Sequence, residues 1–122
     1  MKNAIKLSIA LIVLLVALTG CSLYNGINLI WDWSNINPLA GNYYRVTYTV
    51  QNLGKVDLTG VNLLWGVDVN NDTYPEGQSW TSDFSISQGA TLVNQTIDVY
   101  ALGGVIPPLN AMVLSVDMDK PN

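Results

Sequence analysis

Few side chains in this sequence can do covalent or acid–base chemistry. There is no histidine and a single cysteine, Cys21. Beyond Cys21 the only lysines are Lys55 and Lys120, so no serine has a base beside it in the pattern, and nucleophilic catalysis of the Ser–His or Ser–Lys kind has no signal. A carboxylate pair such as Asp68 with Asp83 exists, but nothing in its spacing singles it out. The expectation is a protein that is not an enzyme. What remains is coordination and contact. Asp68, Asn70 and Asp72 stand at i, i+2 and i+4, with Glu76 further on. Oxygen ligands alternating in this way open calcium loops. Thr73 stands where such a loop needs a glycine, and Ser79 where it needs a bidentate glutamate. The plain reading is therefore a solvated hairpin loop. A weak Ca²⁺ site is the alternative, and no other cofactor is expected. Tyr74 and Trp80 lie in or beside the same polar stretch and are the candidates for contact with a glycan or a protein.

The cysteine is placed by what precedes it. Lys2 and Lys6 lead into an apolar run from Leu7 to Leu18. That run covers 12 residues, whereas a spanning helix needs roughly 20. A charged start, a short apolar stretch and a small-residue site make residues 1–20 a cleavable helical signal peptide. Its end, Leu18-Thr19-Gly20-Cys21, resembles the lipobox of bacterial lipoproteins. The resemblance implies cleavage between Gly20 and Cys21, diacylglycerol on the Cys21 thiol, and a fatty acid such as palmitate on its amine. Two or three acyl chains anchor a protein stably. Ser22 in the next position implies the outer membrane in a diderm host and the outer face of the plasma membrane in a monoderm one. The alternative is an ordinary signal peptide that happens to contain a cysteine.

Without residues 1–20 the chain has 102 residues, a usual size for one domain. Three basic residues (Arg45, Lys55, Lys120) stand against nine acids, a net of −6. Nucleic acid and anionic lipid headgroups both require clustered Lys and Arg, so neither is expected as a partner. The lone cysteine excludes an internal disulfide framework.

Residues 21–28 read as a lipidated cysteine with a short tether, and residues 29–122 as one domain. Within it, apolar residues alternate with period two. Tyr44, Val46, Tyr48 and Val50 share one face of Tyr43–Gln51; Val61, Leu63, Trp65, Val67 and Val69 share one face of Val61–Val69. Similar strands are expected over Ile27–Trp33, Asp83–Ile86, Ala90–Tyr100 (Val93, Ile97 and Val99 in phase) and Ala111–Met118 (Met112, Leu114, Val116 and Met118 in phase). Trp31 and Trp33 read as core, with the membrane interface as the alternative. Gly66 marks a bulge or a close approach. Asn35–Pro38, Gly41-Asn42, Ser87–Gly89, Gly103-Gly104 and Pro107-Pro108 are turn chemistry. No segment beyond Cys21 sustains a 3.6-residue period. The fold class is all-β, an antiparallel immunoglobulin-like sandwich of about six or seven strands.

Val46–Gly54, with its Asn52-Leu53-Gly54 turn, resembles the corresponding strand of bacterial immunoglobulin-like modules of the CARDB type. Ile86–Ala90 followed by Thr96–Val99, and Leu114–Asp119, resemble later strands of the same modules. The resemblance implies adhesion, spacing or assembly without catalysis. The function expected is a lipid-anchored, non-catalytic envelope module that binds or positions a protein, with no small-molecule substrate. The alternative is a glycan- or Ca²⁺-binding module using the loop from Asp68 to Trp80. Exposed sheet edges offer a generic route to a partner.

Overall fold

The computed structural model describes residues 21–24 and 27–119, with side chains from residue 28 onward. The signal-peptide segment, including Gly20 of the cleavage site, lies outside the described residues. The described residues form eight strands: β1 (Cys21–Tyr24), β2 (Ile27–Pro38), β3 (Tyr43–Asn52), β4 (Leu58–Asp68), β5 (Gly77–Trp80), β6 (Phe84–Ile86), β7 (Thr91–Tyr100) and β8 (Asn110–Asp117). One sheet has the order β1-β2-β3-β7. The other is built on β4, which pairs with β8 along one edge and with β5 and then β6 along the other. Every pairing is antiparallel. The two sheets form a sandwich, as the short alternating runs imply.

The inward residues of β3 and β4 make the core, as their alternation predicts. Val46, Val50, Val61, Leu63, Trp65, Val67 and Val69 are fully buried, and Tyr44 and Tyr48 nearly so. The Tyr48 and Trp65 rings meet across the sandwich, with centroids 5.1 Å apart. Burying each such side chain contributes roughly 1.5–3 kcal/mol. Leu29 and Trp31 of β2 are buried and Trp33 packs against them, so the tryptophans of this strand are core. Gly66 is a close approach: a Cβ there would lie 2.9 Å from Pro75 Cβ and 3.0 Å from Leu114 Cδ1. The bulge falls one residue earlier, between Leu64 and Trp65, in the pairing with β8.

Bulges explain where the alternation misleads. In β2 the register shifts between Trp33 and Asn35, so the chain continues as strand through Asn35–Pro38 instead of turning. Leu39–Asn42 makes the turn, with Gly41 and Asn42 at φ 77° and 67°. In β7 the extra residue falls at Val93–Asn94, where Asn94 has φ 56°; Val93 is consequently exposed and Leu92 packs on the core instead. In β8 the shift near Leu114 turns that residue outward, while Ala111 is buried and Val113, Val116 and Met118 pack inward. The segment read as a tether contains β1, whose Cys21 pairs with Ile30 of β2 and whose Tyr24 pairs with Ile27.

Asn52 joins the sheets. It is fully buried; its Nδ2 donates to Val56 O (2.8 Å) and to Ile86 O (3.2 Å), and its Oδ1 accepts from Gly54 N (2.9 Å). Asn52→Ala would leave those buried groups unpartnered. It is expected to lower stability by about 2–4 kcal/mol, read from the urea midpoint of unfolding at constant slope.

Candidate functional site

The sequence-marked oxygen ligands converge at the end of β4. Asp68 is the last residue of that strand and is fully buried. Its carboxylate gathers the following loop around itself: Oδ1 accepts from Asn70 N (3.2 Å) and Asp72 N (3.3 Å), and Oδ2 from Thr73 N (2.8 Å). Asp72 Oδ1 accepts from Tyr74 N (2.9 Å), and Glu76 Oε1 from Val69 N (2.7 Å). One carboxylate oxygen from each of Asp68, Asp72 and Glu76 lies within 4.8 Å of the others. Asn70 Oδ1 is buried without a hydrogen-bond partner. Thr73 stands where a glycine was expected and takes the left-handed conformation nonetheless, at φ 72°; Asn71 does so at φ 58°. Ser79 is not part of this group. It lies in β5 opposite Trp65, and Glu76, eight residues after Asp68, supplies the third carboxylate.

Chemically, the three carboxylate oxygens suit a hard divalent cation. The same carboxylates also fold the loop unaided, because each already accepts main-chain N–H groups. Burial by itself would raise the Asp68 pKa. The N–H groups of Thr73, Asp72, Asn70 and Asn71 outweigh it, and the carboxyl is held below its ordinary value. Asp83, the other carboxylate weighed in the sequence, stands apart and accepts from Asn62 Nδ2 at 2.6 Å.

The two aromatic candidates part company. Tyr74 is 73% exposed in the loop. Trp80 lies on β5 opposite Leu64, four positions down β4 from Asp68, and its register puts it on the outer face of the sheet. What joins Tyr74 at the loop end is a set of residues the sequence reading passed over. Leu102, Val105 and Ile106 project from the connection between β7 and β8. That connection is fastened to the 68–76 loop by Ile106 N donating to Val69 O (2.8 Å). Tyr43 and Tyr100 stack edge to face beside it at 5.3 Å, and Leu39 tops the β2–β3 turn. Of ten exposed large apolar side chains among the described residues, these seven share one end of the sandwich. The signal was Val105-Ile106, an apolar pair set between Gly103-Gly104 and Pro107-Pro108, where solvated turns are polar. A cleft of about 210 Å³ between β2 and β8 is lined by Trp31, Trp33 and Trp65. The indole N–H groups of Trp31 and Trp65 have no partner and are sealed by their neighbours.

Compared with known proteins, the chain matches no family model, no curated protein and no solved structure.

Because the folded Asp68 pKa is depressed, its contribution to stability is complete above the unfolded value of about 4 and is lost as pH falls through the folded value. Thermal melting is expected to be level from pH 8 to pH 5 and to decline below about pH 4. Asp68→Asn is expected to start from a lower melting temperature and to lose less on acidification, which calorimetry across this pH range measures.

Proposed function

We propose that this protein is a non-catalytic module of the bacterial cell envelope, lipid-anchored at Cys21, that holds an envelope or extracellular protein at its apolar loop end. The observation that carries the reading is the gathering of Leu39, Tyr43, Tyr74, Leu102, Val105 and Ile106 at one end of the sandwich. Patches of this kind on monomeric domains mark interaction surfaces, and aromatic side chains with few charges are what protein interfaces favour at their centre. The placement of Cys21 supports it. Cys21 pairs with Ile30, eight residues before the end of β2 at Pro38, and so lies about 26 Å from the loop end at ~3.3 Å per residue. An anchor there leaves the loop end clear of the lipid. The Leu18–Cys21 resemblance to a lipobox supports an anchor at Cys21, Ser22 favours the outer membrane of a diderm, and the strand resemblances favour an immunoglobulin-like adhesion or assembly role.

A second reading, a weak Ca²⁺ site at Asp68, Asn70, Asp72 and Glu76, is favoured by the unpartnered Asn70 Oδ1 beside three converging carboxylates. A glycan platform shared by Tyr74 and Trp80 has less support, because the strand register separates the two.

In-cell crosslinking of the full-length protein, followed by mass spectrometry, tests the main reading. A single envelope protein is expected to be enriched, and to be lost both in Cys21→Ala and in the double variant Val105→Asp, Ile106→Asp, whose melting temperature should match that of the parent. Enrichment indifferent to the double variant would sink the loop-end surface. For the second reading, calorimetric titration is expected to give a Ca²⁺ dissociation constant of about 10⁻⁴–10⁻³ M, abolished in Asp72→Asn with Glu76→Gln. No heat and no melting shift at millimolar Ca²⁺ would remove it.

A further inference from the structure

The four-stranded sheet ends in β7, which pairs with β3 alone. Facing it across the open side of the sandwich is the opposite sheet's edge, formed by β5, the link 81–83 and β6. Between the two edges lies a groove of about 420 Å³. We infer that this groove accepts an extended peptide segment of another protein, which adds to β7 as a fifth strand. The inference goes beyond the loop-end reading and stands or falls separately.

The pairing pattern says which main-chain groups are free. Ala101 N donates to Asn42 O at 3.0 Å. In an antiparallel pair, bonded and non-bonded pairs alternate. Val99, Ile97 and Gln95 therefore exchange bonds with Tyr44, Val46 and Tyr48, while Tyr100, Asp98 and Thr96 turn their N–H and C=O groups away from β3. Tyr100 is covered: Gly77 of β5 comes so near that a Cβ there would collide with Tyr100 O. At the other end the Val93–Asn94 bulge breaks the run, and Gln95 Nε2 occupies Val93 O at 3.1 Å. Thr96 and Asp98 are left with free edges, and both line the groove.

The groove suits a peptide rather than a sugar. Thr96 and Asp98 repeat a donor and an acceptor every second residue, ~6.8 Å apart, which is the repeat an extended main chain matches and a sugar ring does not. The wall beneath them includes Tyr48, Ile97 and Phe84. Tyr48 is only 4% exposed, and its hydroxyl has no partner among the described residues. Small apolar side chains at alternate positions would fill this space. Asp83 and Asp98 stand on opposite lips; Asp98 is paired with Arg45, but Asp83 meets no cation among the described residues. The segment that fits is therefore neutral to basic.

The test is to pan a displayed library of random decapeptides against the full-length protein in detergent micelles. Enriched peptides are expected to alternate small apolar residues with Lys or Arg and to lack acidic runs. Binding should weaken at least tenfold in Thr96→Pro, which removes an N–H facing away from β3 and so costs no bond to that strand, and should persist in the Val105→Asp, Ile106→Asp variant. Should Thr96→Pro fail to fold, hydrogen exchange on the parent protein decides: the Thr96 and Asp98 amides should slow on peptide binding. No enrichment, or bound peptides that leave those two amides exchanging as before, overturns the proposal. So does displacement of the peptides by a neutral soluble polysaccharide.

Discussion

Everything in the second sheet hangs on β4. Among the described residues it is the only strand of that sheet paired on both edges, with β8 on one side and β5 and β6 on the other. A strand in that position has its main chain satisfied laterally, so its side chains decide what the two faces meet. Toward the other sheet it presents Val61, Leu63, Trp65 and Val67, all fully buried. Outward it presents Gly66, narrow enough for Pro75 and Leu114 to close over it. The strand ends in a buried carboxylate, Asp68, that must find hydrogen-bond donors as the chain leaves the sheet. It finds them in its own loop. One strand thus sets the core, the cover of the outer face and the shape of the candidate metal-binding loop.

The parts of the fold legible in the sequence were those where period two runs unbroken. The alternation of Tyr44–Val50 and of Val61–Val69 needs no correction, because the bulges beside those runs put their extra residue in the partner strand, β2, β7 or β8. Where a bulge inserts one residue, the faces exchange, and a pattern read in one phase is right on one side only. That is why Ile97 and Val99 are core while Val93 is exposed, and why Val116 packs inward while Leu114 does not. Bulges leave no distinctive composition; Asn94, which accepts a positive φ, was the single hint. β1 and β5 are four residues each, too short for alternation to be counted.

The oxygen cluster was legible for a different reason. Residues at i and i+4 in a tight loop are brought together by local geometry alone, so the spacing of Asp68 and Asp72 carried over into space. Glu76 joined them because the loop is short enough to return the chain to β4. The apolar end was not legible, since Leu39, Tyr43, Leu102 and Ile106 come from connections far apart in sequence and become neighbours only through strand order. A surface assembled in this distributed way has no motif.

Gly77 and Tyr100 fasten one side of the sandwich. Their contact draws the edges of opposite sheets together beside the loop end, at a separation that no residue with a Cβ permits. Beyond that fastening a groove runs between the two edges, lined by residues 79–84 on one side and 95–98 on the other. The close approach beside this groove therefore depends on the absence of a single methyl group. Any larger residue at Gly77 would push the edge of β5 away from β7, and the side chains packed between the two layers would have to absorb the change in spacing.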